Sequence, residues 1–187
     1  MKPLLVMLAG PNGAGKSTFY EAFLSHLDLP FLNPDVFAGI TGLGPYEAAE
    51  QVSALREAMV SSGAGFISET VLSDPQGAKV EFLASAARRG FDIQLIYIGL
   101  ESAALSRARV KRRVEAGGHD VPRDKLRNRF PRTLKNLGRT ISVLPRVTIY
   151  DNSTFGHPFL FVAEFREQKL AQRRDGKIPP WARRFVR

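Results

Sequence analysis

Residues 10–17 read Gly-Pro-Asn-Gly-Ala-Gly-Lys-Ser, and no other stretch constrains the fold as tightly. They fit G-x-x-x-x-G-K-[ST], in which glycines let backbone N–H groups close around an anion. The flanks decide whether the match carries meaning. Ahead of it, Leu4-Leu5-Val6-Met7-Leu8-Ala9 is an unbroken apolar run, the signature of a strand buried on both faces. Behind it, Phe19, Phe23, Leu24 and Leu27 recur at helical spacing, with no proline before Pro30. Strand, glycine-rich turn, helix is the order a phosphate cradle requires, because the new helix adds its positive dipole end. The expectation is a nucleoside triphosphate held by Gly10, Pro11, Asn12, Gly13, Ala14, Gly15, Lys16, Ser17 and Thr18. In that pattern Lys16 reaches the β- and γ-phosphates, the Ser17 hydroxyl sits on Mg²⁺, and Thr18 lies beside the α-phosphate.

The strand–helix alternation repeats down the chain. Short strands are expected at Pro30-Phe31-Leu32 and Phe66-Ile67-Ser68, a long buried one at Ile93–Gly99, and a fifth at Arg146–Tyr150. Between them, Pro45 opens a helix towards Ser61 with Ala49, Val52, Leu55 and Met59 on one face, and Asp74-Pro75 starts another to Arg89. Helices from Glu101 to Ala116 and from Arg123 to Arg139 follow, the second interrupted by Pro131. The expected fold is α/β of the P-loop NTPase type: a five-stranded parallel sheet with helices on both faces, a helical lid at roughly 107–139 and an extra edge strand at Phe159–Phe165. Residues 1–187 read as one domain, ending in a basic, partly mobile tail from Glu167.

Charge is distributed unevenly. Of the formal +9, residues 107–146 carry 13 Lys or Arg against 3 Asp or Glu, and residues 166–187 carry 8 against 2, so the remainder is acidic. Anionic partners follow, with small-molecule phosphates and nucleic acid both eligible. The chain has no cysteine, hence no disulfide or thiolate metal site. No run reaches the length of a membrane span and Met1-Lys2-Pro3 has no leader character, so the expected location is cytoplasmic.

Two carboxylates are placed for chemistry. Asn33-Pro34 opens a helical turn, which sets Asp35 just beyond the second strand's C-terminal end, where ligands bind in open parallel sheets. There it serves as the base that takes the proton of an attacking hydroxyl, or simply as a first-turn acid favoured by the helix dipole. No long apolar run ends in Asp, so the usual Walker-B carboxylate is missing; Glu69, followed by Thr70, is the nearest substitute. The arginines of the two lid helices supply cations for a transferring phosphoryl group. On spacing, Arg109 and Arg113 share one face, and Arg129 and Arg132 another. His119 in the intervening loop is a further candidate for phosphate or base contact, and Asp151-Asn152-Ser153 lies where such folds hold the nucleotide base.

With these segments in place, the chain resembles the zeta-toxin family of P-loop kinases. The resemblance rests on Gly10 to Thr18, Phe31-Leu32-Asn33-Pro34-Asp35, Ser68-Glu69-Thr70-Val71-Leu72-Ser73, Gly117-Gly118-His119-Asp120-Val121-Pro122 and Arg129-Phe130-Pro131-Arg132. It implies ATP with Mg²⁺ at the loop, Asp35 as base, Glu69 and Thr70 near the substrate, and Arg113 and Arg129 as lid contacts. It also implies a hydroxyl-bearing acceptor of the UDP-N-acetyl amino sugar class and an antitoxin partner. The chain is shorter than the larger toxins, so the activity class transfers better than the substrate. Two other readings stand beside it: a kinase of nucleic-acid ends, with the tail and Trp181 tracking a backbone, and a nucleotide-gated interaction module.

Overall fold

The computed structural model describes residues 2–118 and 120–186. The apolar run forms β1, Leu4–Ala9, at the centre of a sheet whose other strands are β2 (Phe31–Leu32), β3 (Phe66–Thr70), β4 (Asp92–Gly99), β5 (Arg146–Asp151), β6 (Leu160–Arg166) and β7 (Lys169–Arg173). The order is β2-β3-β1-β4-β5-β6-β7. The first five strands are parallel, so their C-terminal ends share one edge; β6 and β7 return antiparallel. Register sets Leu8 opposite Glu69 on one side of β1 and Ile96 on the other.

The helices are α1 (Lys16–Phe23), α2 (Pro34–Thr41), α3 (Pro45–Ser62), α4 (Ala78–Arg88), α5 (Ala103–Glu115) and α6 (Arg123–Val143). Alternating side chains of the central strands feed two cores. Leu5, Met7, Leu95 and Tyr97 pack with Val60, Leu83 and Leu137 on one face, whereas Leu8 and Ile98 pack with Ala14 and Phe19 on the other. Tyr97 is fully buried, its hydroxyl meets Thr133 Oγ1 at 3.3 Å, and burial pushes its phenol well above the ordinary range.

The structure departs from the sequence expectations in several places. The sheet is mixed and seven-stranded, not five-stranded and parallel with one added edge. A two-residue turn at Glu167 and Gln168, both at positive φ, joins β6 to β7, and this is hairpin geometry. Beyond β7 the tail folds onto the main core instead of trailing. Trp181, Ala182 and Val186 are all buried, and an aliphatic side chain of valine's class contributes roughly 1.5–3 kcal/mol when fully buried. Trp181 is therefore unavailable for stacking on a nucleic-acid strand.

Helix α3 buries Ala48, Val52, Arg56 and Val60 rather than the face through Ala49, Leu55 and Met59. Helix α4 begins at Ala78, preceded by Asp74, whose carboxylate accepts from the Ala78 and Lys79 N–H groups. Helix α6 runs through Pro131 without a break. Pro131 and Arg127, whose carbonyl loses its helical partner there, are both exposed, so the break falls on the solvent side of the helix. Among the described residues, no helix is long and apolar enough to cross a membrane.

Candidate functional site

The phosphate loop leaves β1 at Gly10, whose φ of 143° brings its backbone against β4: a Cβ there would lie 2.1 Å from the Ile98 carbonyl oxygen. Gly13 is equally confined, with Arg109 Cβ 3.0 Å and the Ser106 carbonyl oxygen 3.1 Å from a built Cβ. Only glycine fits either position. The loop is braced from behind by donors to its carbonyls. Ser106 Oγ donates to Asn12 O at 2.7 Å, Asn152 Nδ2 to Ala14 O at 2.8 Å, and Arg109 Nη1 to Gly13 O at 3.5 Å. Gly15 caps α1 without a side chain, which leaves the first-turn N–H groups to an anion.

Lys16 is only 6% exposed, and its ammonium donates to Gly10 O at 3.1 Å and Pro11 O at 3.2 Å while lying 3.5 Å from Glu69 Oε1. Glu69 is the hub. Its Oε2 accepts from Ser17 Oγ at 3.0 Å and from Asn33 Nδ2 at 2.9 Å. One carboxylate therefore joins the loop lysine, the hydroxyl placed for a metal, and the end of β2. An oxygen-only pair, Ser17 and Glu69, suits Mg²⁺, which takes few protein ligands when substrate phosphates supply the rest. Among the described residues no group of three or more His, Asp or Glu is arranged as a metal cage of its own.

Asn33 is 4% exposed and also faces the other way: its Oδ1 accepts from the Asp35 N–H at 2.8 Å and the Val36 N–H at 3.3 Å, capping α2. Asp35 thus stands two residues from a side chain that touches Glu69, and is itself exposed. Thr70 accepts from the Leu72 N–H at 3.1 Å, which closes a turn at the end of β3 and leaves its hydroxyl proton free to donate.

The arginines expected to act from a lid are less gathered. Arg113 lies half-buried near the end of α5 against Gly118, and Arg129 half-buried in α6 near Tyr46. Arg132 is exposed. Lys125 touches Tyr46 at the start of α3, its Nζ 4.8 Å from the ring centre, so α6 meets α3 across the cleft. His119 lies outside the described residues. The Asp151-Asn152-Ser153 turn is committed to bracing: Asn152 holds Ala14, and Ser153 O accepts from Arg109 Nη2 at 3.3 Å. Burial lowers the Arg109 pKa, and Asp151 and Glu101 oppose that.

Sequence reasoning missed Arg56. Its guanidinium is buried and donates through Nε to Ser68 Oγ at 2.7 Å and through Nη2 to Glu69 O at 2.8 Å. Ser68 in turn donates to Leu32 O at 2.7 Å, tying β2 to β3 immediately before Asn33 and Glu69. Burial drives the Arg56 pKa down to about 10, partly offset by Glu69. The signal was its spacing: 52, 56 and 60 fall at helical intervals, and an arginine between two buried valines needs buried acceptors.

An uncharacterized protein of Haemophilus influenzae is 26% identical over 134 residues, covering 70% of this chain and 94% of that protein. Among solved structures, the AvrRxo1-ORF1:AvrRxo1-ORF2 complex with sulphate ions is similar with a TM-score of 0.69 at 16% identity, covering 91% of this chain and 60% of that one. The same complex with ATP gives 0.63 at 15% identity, covering 99% and 63%. The PezAT toxin–antitoxin system of Streptococcus pneumoniae gives 0.57 at 18% identity, covering 91% and 70%, and a gluconokinase from Sinorhizobium meliloti gives 0.50 at 18%, covering 80% and 83%. The chain thus spans 60% of the AvrRxo1 chain that it matches. The fold is shared with these structures, and the family described as AAA domain, AAA_33, matches residues 5–129, a span that includes the phosphate loop and Glu69. This chain belongs to the AAA_33 AAA-domain family.

Proposed function

We propose that the chain is an ATP-dependent phosphotransferase that moves the γ-phosphoryl group of ATP to a hydroxyl of a small molecule. The observation that carries this is the single carboxylate, Glu69, touching Lys16, Ser17 and Asn33 at the foot of the helix bearing Asp35. In this reading the ammonium of Lys16 and the N–H groups of α1 hold the β- and γ-phosphates. Asp35 orients the acceptor hydroxyl and takes its proton as the oxygen bonds to the γ-phosphorus and the bond to the β–γ bridging oxygen breaks, releasing ADP. Ser17 and Glu69 are the residues that would hold Mg²⁺, which would supply charge neutralisation at the phosphates. Arg113, Arg129 and Thr70 complete the set, the arginines at the phosphoryl group and Thr70 beside the acceptor.

For the acceptor we propose a UDP-N-acetyl amino sugar, and for a protein partner an antitoxin. The partner is supported by the likeness to PezAT, a toxin–antitoxin system, and to AvrRxo1-ORF1, which is seen with ORF2; the acceptor class rests on the sequence resemblance to the zeta-toxin family. The ATP seen with AvrRxo1 supports ATP as donor. A ³¹P NMR time course with ATP, Mg²⁺ and a mixture of UDP-N-acetyl amino sugars tests the reading. The expected result is a new sugar-phosphate resonance that Asp35→Asn reduces by about 10²- to 10⁴-fold in rate, the ordinary worth of a general base. ATP binding without transfer to any hydroxyl acceptor would instead leave a nucleotide-gated binding module.

A further inference from the structure

The family match ends at residue 129, yet the turn that braces the phosphate loop is itself held by the last dozen residues of the chain. Trp181 lies over β4 so closely that a Cβ on Gly99 would fall 2.2 Å from its six-membered ring. Its indole N–H donates to Asp151 Oδ1 at 2.7 Å. Asp151 is a buried carboxylate at the C-terminal end of β5, and Trp181 and Ser153 are its hydrogen-bond donors among the described residues. Ser153 Oγ donates to Asp151 Oδ1 at 2.6 Å and accepts from the Glu101 N–H at 2.8 Å, just ahead of α5.

From Asp151 two routes reach the loop. Along the chain, Asn152 donates to Ala14 O, and its own N–H is fixed to Gly99 O at 3.0 Å. Through α5, Ser106 donates to Asn12 O, and Arg109, which feels the Asp151 charge, spans Gly13 O and Ser153 O. Of three consecutive loop carbonyls, the turn therefore holds Ala14 O directly, while Asn12 O and Gly13 O are held by α5, which the turn meets at Glu101 and Arg109; that turn is anchored by a tryptophan from the far end of the chain.

We infer that the carboxy-terminal segment is a strut of the nucleotide subsite, with Trp181 as its positioning residue: by holding Asp151 it sets the turn and the α5 start that pin the phosphate loop open for an anion. The inference rests on the reading that this loop binds ATP. It makes the tail a determinant of nucleotide affinity rather than a basic arm reaching for nucleic acid. Fixing loop carbonyls backwards keeps the N–H groups directed at the ligand, so loosening the strut acts on binding before it acts on transfer.

Trp181 is the chain's sole tryptophan, so it reports its own surroundings. Titrating the full chain with ATP and Mg²⁺ is expected to change Trp181 emission with the same midpoint that calorimetry gives for ATP binding. Trp181→Phe, which keeps a ring but removes the N–H, is expected to weaken ATP binding five- to tenfold. Val186→Ala, which thins the same buried segment without touching Asp151, serves as the matched control: a lower melting temperature with ATP affinity within twofold of the parent. Silent emission on saturation together with ATP affinity of Trp181→Phe within twofold of the parent, or equal weakening by the two variants at equal loss of melting temperature, would overturn the inference. The emission test needs no substitution and holds even if Trp181→Phe fails to fold. A parent chain that gives no ATP binding heat overturns the ATP reading as well, whereas binding with silent Trp181 and a normal Trp181→Phe overturns the strut alone.

Discussion

Lys16 is sealed in the loop with its ammonium already shared among two carbonyls and Glu69, whereas Asp35, linked to the same carboxylate through Asn33, stands exposed at the cleft's rim. The two sides of the cleft are built differently. On the phosphate side every named charge has a partner before any ligand arrives, and the loop is braced by α5 and the β5 turn. On the other side the rim carries large exposed apolar groups, Val36, Ile40 and Tyr46, with Ile40 79% exposed. A preformed anion site costs little reorganisation when phosphate binds, while a rim of exposed apolar side chains gains by being covered. On the proposed kinase reading, the contrast predicts that the nucleotide half exists beforehand and that the acceptor half is completed when acceptor and helical lid close on it.

The largest effect that tests this contrast is at Glu69. Glu69→Gln keeps the size of the side chain but removes the charge facing Lys16 and Ser17. Phosphoryl transfer at saturating acceptor is expected to fall about 10²- to 10³-fold, with weaker Mg²⁺ dependence and weaker ATP binding. Asp35→Asn should leave ATP affinity alone. Steady-state rates against ATP and Mg²⁺, with calorimetric ATP affinities for both variants, separate the two. If both substitutions alter ATP affinity alike, the division of the cleft is wrong.

The phosphate side was also the legible side. Gly10 to Thr18 could be read because a glycine turn between an apolar run and a helix has few uses. Across from it, only the place of Asp35 in the first turn of α2 was readable, because Asn33-Pro34 announces a helix start. Glu69 was legible only as a substitute; its contact with Lys16 comes from the pairing of β3 beside β1, which sequence order does not reveal. The hairpin to β7 was hidden because its turn uses Glu167 and Gln168 at positive φ instead of glycine or asparagine, and β7 is exposed along its whole length, without alternation. The buried tail was hidden for the opposite reason: basic residues surround Trp181, and composition there speaks for solvent while one indole N–H and a few apolar contacts decide the outcome.

A smaller effect is expected at Arg56, where function and stability should part. Arg56→Met removes the donors to Ser68 Oγ and Glu69 O but also the cost of burying a guanidinium, the same burial that lowers its pKa. The two partly cancel, so unfolding free energy should drop by about 1–2 kcal/mol, the range for leaving a buried acceptor unmet. Transfer should fall about tenfold, because β3 then holds Glu69 less firmly against Lys16. Arg56→Lys, lacking the two-pronged donor, should recover less than half of that loss. Denaturant unfolding beside turnover measures both; transfer that survives Arg56→Met would mean Glu69 is fixed by Asn33 and Ser17 alone.

The smallest effect lies where the halves meet. Tyr46, 75% exposed at the start of α3, receives Lys125 of α6 at its hydroxyl and against its ring, and Lys125 lowers the phenol pKa. Tyr46 is exposed and Lys125 half-buried, so the pair is a clasp at the surface and not part of either core. Tyr46→Ala is expected to raise amide exchange in residues 123–129 about two- to fivefold, the ratio that an exposed cation–π contact supports, while α1 and the phosphate loop exchange as before. High salt should change little in the variant but should speed exchange in the parent towards it, since only the parent has an exposed charged contact to screen. Faster exchange in α1 as well would show that rim and loop open as one unit. The contrast between a preformed nucleotide half and a closing acceptor half would then fail at the place where the structure joins them.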